Sequence, residues 1–186
     1  MSDWLSDDVI ANGIRIHYYR TGGSKPPLVL SHGATDDGLC WTRLAKALES
    51  DYDVIMPDAR GHGLSEAPES GYNADDRAAD LAGFVEALKL DRPAIGGHSM
   101  GASTSFYAVA NYPGRFRSAI LEDPPFRDPA AQPGPGTDAD RATRMRQQNS
   151  ERKTMTREAI MAMGRAEHPS WSEEEFGPWA DSKKRV

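Results

Sequence analysis

The residues best suited to chemistry in this chain form the pentapeptide GHSMG at positions 97–101. A short apolar stretch, residues 93–96, precedes it, and a helix-forming stretch, residues 102–111, follows it. A G-x-S-x-G pattern between a strand and a helix is typical of a nucleophile elbow, a strained turn that exposes the serine hydroxyl. Glycines on both sides remove side chains that would crowd such a turn. We therefore predict that Ser99 is a nucleophile that forms an acyl intermediate.

Three other segments have the form of strands that end in polar or glycine-rich turns. They are LVLSHGA at residues 28–34, VIMPDARGHGLS at residues 54–65 and AILEDPP at residues 119–125. In this order and at these separations, together with the serine pentapeptide, they resemble the α/β-hydrolase fold family in its small esterase-like branch. The resemblance implies an α/β fold with a doubly wound, mostly parallel sheet and a helical cap inserted after the sixth strand.

The resemblance also implies roles for residues around Ser99. The oxyanion hole would consist of the backbone N–H of Met100, directly after the nucleophile, and that of Ala34, in the loop after the third strand. The family order is serine, then acid, then histidine. Asp123 holds a position, just after the sixth strand, that some members use for the acid. The alternative is that Asp123 or the adjacent Glu122 caps the following proline turn.

The general base that Ser99 requires is not evident. Only His168 follows Ser99, and it lies in the predicted cap, whereas the family histidine follows an eighth strand. The C-terminal third of the family pattern is therefore absent from the sequence. His168 could replace the family base, but we expect it to be a solvated cap residue. Without that replacement, the chain is either an inactive truncated fragment or one chain of a split or nicked hydrolase, whose second chain supplies the missing strands and the histidine.

The histidines that precede Ser99 have simpler explanations than catalysis. His32 and His62 lie in predicted turns, where packing and hydrogen bonding account for them. A metal site formed by His32, Asp58 and His62 is an alternative, but the turn context explains all three residues without a metal. We therefore expect no metal ligands and no cofactor.

Composition excludes several classes of function. The chain has 186 residues and a net charge of −6, which argues against a nucleic-acid or anionic-membrane partner. No apolar run is long enough to span a bilayer, and the acidic start lacks the positive region of a signal peptide. The single cysteine, Cys40, excludes an internal disulfide and suits a reducing compartment. We expect a cytoplasmic protein in which Cys40 is a small buried filler.

Local patterns predict the elements that position these residues. The dipeptide that begins at Asn12 predicts a hairpin between strands at residues 8–10 and 14–19. A helix is predicted at residues 74–90, with Asn73 as its N-cap. Because strands alternate with helices from there on, we expect right-handed crossovers and a parallel sheet.

A change in composition after residue 126 divides the chain into two parts. Residues 1–126 are predicted to form the N-terminal part of the hydrolase core. Residues 127–186 combine a Pro/Gly-rich linker at residues 130–137 with helical patterns at residues 138–151 and 156–166. We expect this second part to be an incomplete helical cap.

The sequence favours a serine hydrolase that acts on a carboxylic ester. Dehalogenases and epoxide hydrolases of this fold need a carboxylate in the position of Ser99, which argues against both. A cofactorless perhydrolase and a carbon–carbon bond hydrolase share the serine pattern and stay open as alternatives. Apolar side chains of the cap suggest a small apolar ester-like substrate, although they also suit packing of the cap on the core: Met161, Met163, Trp171, Phe176 and Trp179.

Overall fold

The structure, a computed structural model, describes residues 4–126 and 138–185. The strands are β1 (Leu5–Ala11), β2 (Ile14–Arg20), β3 (Pro27–Ser31), β4 (Asp53–Pro57), β5 (Ala94–His98) and β6 (Ser118–Glu122). The helices are α1 (Thr42–Leu48), preceded by a 3-10 helix (Gly38–Trp41), α2 (Ala74–Ala87), α3 (Met100–Asn111), α4 (Asp138–Thr154), α5 (Arg157–Glu167) and α6 (Glu173–Lys183). The predicted linker at residues 130–137 lies outside the described residues.

The strands form a single mixed sheet in the order β1-β2-β4-β3-β5-β6. β1 pairs with β2, and β2 with β4, in antiparallel fashion. β4, β3, β5 and β6 are parallel neighbours, and helices connect them. The carboxyl ends of these four strands therefore lie at the same end of the sheet. The α/β-hydrolase fold with a mostly parallel sheet is confirmed.

Local sequence rules account for the hairpin and for the start of α2. Asn12 and Gly13 have φ angles of 49° and 80°, as the two central residues of a type I′ turn require. Asn73 accepts a hydrogen bond from the N–H of Asp76, whose side chain accepts one from the N–H of Asn73. This capping box fixes the first turn of α2. The helix ends at Ala87, three residues before the predicted end.

Two apolar clusters cover opposite faces of the sheet. Val29 belongs to the larger cluster, which includes side chains of α2 and α3. Leu28 and Leu30, its neighbours in β3, belong to the smaller cluster beside α1. Side chains alternate between the faces of a strand, so β3 is buried on both faces. This burial explains its continuous apolar sequence.

The outer strand β6 is much less covered than the centre of the sheet. Ile120 pairs with Gly96, so its side chain lies on the face that carries α1, and it is 68% exposed. Beside α3 on the other face, the exposed rings of Phe106 and Phe126 contact each other with centroids 4.8 Å apart. The β6 edge therefore presents apolar side chains to solvent on both sides.

Candidate active site

Ser99 occupies a strained turn between β5 and α3. Its φ and ψ angles are 51° and −110°, a conformation that residues with a side chain rarely adopt. No side chain fits at either flanking glycine, because a Cβ on Gly97 would lie 2.3 Å from the carbonyl carbon of Gly101, and one on Gly101 would lie 2.1 Å from Ser31 O. The N–H of Ser99 donates to Glu122 O at 2.9 Å. The turn is thus held between the ends of β3 and β6.

The backbone N–H groups of Ala34 and Met100 have no protein acceptor within the described residues. Met100 is the first residue of α3, so its N–H cannot bond within the helix. Ala34 follows Gly33, which lies against His98, because a Cβ on Gly33 would be 3.0 Å from His98 Nδ1. The two donors assigned to the oxyanion hole from the sequence are therefore available to a ligand.

The loop that carries Ala34, residues 33–37, is held by side chains from three parts of the chain. Three successive carbonyl oxygens of this loop each contact a side-chain nitrogen: Gly33 O and His32 Nδ1 at 2.8 Å, Ala34 O and His62 Nε2 at 3.1 Å, and Thr35 O and Lys183 Nζ at 2.8 Å. A trans peptide unit points its carbonyl and its N–H in opposite directions. Fixing the carbonyls therefore fixes the direction of the N–H groups.

His32 is buried and neutral. Its Nε2 accepts a hydrogen bond from the N–H of Ala59 at 2.9 Å, so the ring proton lies on Nδ1 and is donated to Gly33 O. Burial, followed by the neighbouring His62 ring 5.1 Å away, lowers the pKa of His32 to about 4. His32 therefore serves as a fixed donor to the loop at neutral pH.

The three side chains considered as metal ligands, His32, Asp58 and His62, contact backbone groups instead. Asp58 accepts hydrogen bonds from the N–H groups of Gly38 at 2.7 Å and Leu64 at 2.8 Å. Burial raises the pKa of Asp58, and these two hydrogen bonds oppose that increase. His62 Nδ1 lies 2.9 Å from Arg60 O. In the described ranges, no group of three or more His, Cys, Asp or Glu side chains is arranged to hold a metal ion.

The thiol of Cys40 is half-buried, close to the loop at residues 33–37. Burial, together with the nearby carboxylates of Asp36 and Asp37, raises the pKa of Cys40 well above its usual value. The nucleophilic form of cysteine is the thiolate. Cys40 is therefore poorly suited to act as a nucleophile.

Asp123 lies directly beyond β6, beside the serine turn. β5 and β6 pair in register as far as His98 and Glu122, so Ser99 and Asp123 are the next residues along the two neighbouring strands. Asp123 is exposed and has a φ of 45°. Within residues 4–126 and 138–185, its carboxylate has no hydrogen-bond or ion-pair partner, and it does not cap the proline turn. Asp123 thus follows the sixth strand, and its carboxylate is exposed to solvent; its role as the acid stays a prediction.

His168 packs among the C-terminal helices α5 and α6, which belong to the part of the chain that the sequence predicts to be a cap. It follows α5 and stacks on Trp171, with ring centroids 4.0 Å apart, and its ring also meets Trp179 edge-on at 6.1 Å. It is half-buried rather than solvated, and in the described part of the chain it makes no contact with Ser99. The apolar cap residues also pack on one another: Phe176 is 2% exposed and contacts Trp171. Packing of the cap therefore accounts for these side chains.

Sequence reasoning missed two basic residues at the end of the cap. Lys183 is 5% exposed, and its ammonium group bonds to the carboxylate of Asp36. The guanidinium of Arg185 bonds to Asp37, which is fully buried. The adjacent acids in the loop were a usable signal, because carboxylates that are removed from water require partners.

A small cavity lies behind the serine turn, between α2, α3 and the ends of β3 and β4. Its volume is about 40 Å³, and Met100, Gly101, His32 and Arg77 are among the residues that line it. This volume suits a few water molecules, whereas pockets for small-molecule ligands are usually several hundred Å³.

Comparisons with known proteins agree with this fold. A family model described as alpha/beta hydrolase fold matches residues 26–168. The chain is 39% identical over 129 residues to N-formylmaleamate deformylase of Pseudomonas putida, a match that covers 69% of this chain and 48% of that protein. It is 39% identical over 104 residues to 2-(acetamidomethylene)succinate hydrolase of Mesorhizobium japonicum, covering 56% of this chain and 37% of that one.

A solved structure supports the same grouping. N-formylmaleamic acid deformylase from Pseudomonas putida S16, solved as a serine-to-alanine variant, superimposes with a TM-score of 0.77 at 29% identity. The superposition covers 97% of this chain and 68% of that one. The present chain thus spans about half or less of the curated relatives that it matches. Among the described helices, none is both long enough and apolar enough to cross a membrane.

Proposed function

The chain belongs to the α/β-hydrolase fold family, and we propose that it carries the serine part of a hydrolase that cleaves acyl bonds through a covalent intermediate on Ser99. The conformation of Ser99 is the observation that carries the proposal. Its backbone lies in a region that costs roughly 1–3 kcal/mol, at a turn where the neighbouring glycines leave no space for side chains. Strain of this kind at the carboxyl end of a parallel sheet is expected where a hydroxyl must be exposed to substrate.

The proposed reaction follows from the groups around the turn. Ser99 Oγ attacks the acyl carbonyl carbon while a histidine removes the hydroxyl proton, and the N–H groups of Ala34 and Met100 stabilise the oxyanion. The tetrahedral intermediate collapses, the protonated histidine gives its proton to the leaving group, and the acyl group remains on Ser99. Water, deprotonated by the same histidine, then releases the acid and restores the serine. Asp123 would hold the histidine in the correct orientation.

We propose that the histidine arrives with a further polypeptide segment that pairs with β6. Two observations support this proposal. The edge of β6 exposes apolar side chains such as Ile120, and an open edge of this kind favours pairing with another strand. The carboxylate of Asp123 is exposed at the end of the same strand. Intact mass of the protein from its natural source would show whether the segment continues beyond Val186 or belongs to a second chain.

The bond that is cleaved is proposed to be a carboxylic ester. A second candidate is an N-acyl amide, and the two curated relatives favour it, because their names describe a formyl amide and an acetamido compound. Both reactions proceed through the same acyl intermediate on serine. The presence of Ser99 rather than a carboxylate at the elbow argues against epoxide opening.

The missing base suggests a direct test. Residues 1–186 alone should hydrolyse a short-chain p-nitrophenyl ester slowly, and added imidazole should accelerate the reaction by acting as the general base. Ser99→Ala should remove this imidazole-dependent turnover down to the rate of imidazole in buffer, because the nucleophile is lost. Ser103→Ala, one helical turn further along α3, is the matched control and should have little effect.

The second candidate is tested with N-formylmaleamate in the same assay. The amide is favoured if Ser99-dependent release of formate from N-formylmaleamate is faster than Ser99-dependent hydrolysis of p-nitrophenyl formate or p-nitrophenyl acetate. Turnover that persists unchanged in Ser99→Ala would contradict the proposed function for both substrates.

A further inference from the structure

Resting on the proposed function, we propose that Lys183 is a positioning residue that links the docked end of the cap to the N–H of Ala34. The ammonium group of Lys183 donates to Thr35 O and to Thr35 Oγ1, each at 2.8 Å, and to the carboxylate of Asp36. These three acceptors match the three N–H bonds of the ammonium group. All three N–H bonds of the ammonium group therefore go to two adjacent residues, Thr35 and Asp36, of the loop at residues 33–37.

A continuous chain of hydrogen bonds leads from this ammonium group to the predicted oxyanion donor. Lys183 bonds to Thr35 O, and the same peptide unit carries the N–H of Asp36. That N–H donates to Gly33 O at 3.2 Å, and the peptide unit of Gly33 O carries the N–H of Ala34. Because the carbonyl and the N–H of a trans peptide are antiparallel, each bond fixes the direction of the next donor. Serial hydrogen bonds also polarise one another, so the cation strengthens the Ala34 donor as well as aiming it.

Neighbouring contacts hold Lys183 in this position. Its ammonium group lies 5.1 Å from the centre of the Trp179 ring, one helical turn earlier in α6. Ser182 Oγ donates to Trp179 O at 2.7 Å and lies 3.3 Å from the carboxylate of Asp36. After the helix, Arg185 O accepts a hydrogen bond from the N–H of Gly63 at 2.9 Å. The end of α6 is thus fixed from both sides.

The adjacent residue Lys184 provides a matched control. It has the same charge and side chain and is exposed, and it donates to Met155 O at 2.6 Å on the cap side. It makes no contact with the loop at residues 33–37. Lys184→Met therefore changes the charge of α6 by the same amount as Lys183→Met without touching the loop.

The first experiment measures the imidazole-supported hydrolysis of p-nitrophenyl acetate. In Lys183→Met, kcat should fall about tenfold while KM changes less than about twofold, because the loss falls on a donor that acts in the transition state. Lys183→Arg, which keeps a cation and several donors, should recover part of kcat. Lys184→Met should behave as the unchanged chain. An unchanged kcat in Lys183→Met, or an equal loss in Lys184→Met, would overturn the positioning role.

The second experiment does not depend on catalysis. Hydrogen exchange at the amide of Asp36, which donates to Gly33 O, should accelerate in Lys183→Met and stay unchanged in Lys184→Met, with the amides of β3 as the internal reference. If Lys183→Met does not fold, because the carboxylate of Asp36 is left without its partner, the double variant Asp36→Asn with Lys183→Met removes both charges and takes its place. Unchanged exchange in the folded variant would contradict the inference. Loss of Ser99 dependence in the same hydrolysis assay would instead contradict the proposed function.

Discussion

The two sides of the carboxyl end of the sheet differ in how their groups are held. On the β3 and β4 side, the loop at residues 33–37 is buried or half-buried, receives hydrogen bonds from His32 and Lys183, and contacts His62. On the β6 side, Asp123 and Ile120 are exposed, and within the described residues the carboxylate of Asp123 has no partner. Ser99 lies between the two sides.

This contrast separates the orientation of the oxyanion donors from the transfer of the proton. The groups that would stabilise an oxyanion are oriented by residues of this chain alone. Proton transfer requires a histidine beside Ser99 and Asp123, and the described residues bring none to the turn. Under the proposed function, the described residues supply the binding geometry and a histidine from outside them supplies proton transfer, so variants on the two sides should fail in different ways.

The largest expected effect is on the β6 side. In an assembly that contains the proposed further segment with its histidine, Asp123→Asn should lower turnover by roughly 10²–10⁴-fold, because the histidine loses its orienting charge. In residues 1–186 with added imidazole, the same variant should change turnover less than about twofold, since free imidazole is not oriented by Asp123. The p-nitrophenyl ester assay under both conditions provides the measurement.

Glu122→Gln is the control for this prediction, because the side chains of adjacent strand residues point to opposite faces. It should change turnover less than about tenfold, which corresponds to roughly 1.4 kcal/mol. A loss for Asp123→Asn in the complete assembly that is no larger than this would show that Asp123 does not orient the histidine, and would remove the β6 side from the chemistry.

The next effect is on the β3 and β4 side and concerns stability. The pKa of His32 is lowered from 6.5 to about 4 in the folded chain. Between these values the unfolded chain binds a proton that the folded chain does not, so the free energy of unfolding should fall as the pH decreases through this range. The decrease that His32 contributes should reach up to ~3 kcal/mol. Urea unfolding between pH 7 and pH 4 measures it.

His32→Gln removes the titrating group, so its free energy of unfolding should depend less steeply on pH over the same range. The variant should also be less stable than the unchanged chain at pH 7, because the donor to Gly33 O is altered. Equal pH dependence in the two proteins would show that His32 is not the buried neutral donor that holds the loop.

The smallest effect concerns the two outer strands. Ile120 on β6 and Ile10 on β1 are exposed to nearly the same extent, 68% and 66%. β1 carries Asp7 and Asp8, and charges of this kind oppose pairing at an edge. Ile120→Lys should therefore reduce self-association of residues 1–186 in light scattering, whereas Ile10→Lys should not. Each change should alter the free energy of unfolding by less than about 0.5 kcal/mol. Equal effects of the two variants would contradict a specific role of the β6 edge.

Features that depend on neighbouring residues were predictable from the sequence. The hairpin at Asn12, the N-cap of α2 at Asn73 and the elbow around Ser99 each follow from a local conformational rule, and the structure contains all three. The end of α2 was predicted three residues too late, and α3 begins at Met100 rather than at residue 102. Helix ends depend on capping by the surroundings, which a periodic pattern does not contain.

Features that depend on contacts between distant residues were not predictable in this way. Lys183 and Asp36 are separated by 147 positions, and the basic end of the chain has the composition of a solvated helix. The tautomer of His32 likewise depends on the N–H of Ala59, 27 residues away. The role of Asp123 stays a prediction from the resemblance, since its partner histidine is not among the residues that the structure brings to it.

The contact between Lys183 and Thr35 joins residues 148 positions apart, and this separation has a consequence for synthesis on the ribosome. Translation adds roughly 5–20 residues per second. The residues of the strand, turn and helix around Ser99 are therefore synthesised several seconds before Lys183. During that interval the loop at residues 33–37 lacks the ammonium group that bonds to Thr35 and Asp36. The loop therefore reaches its final arrangement only as the end of α6 leaves the exit tunnel.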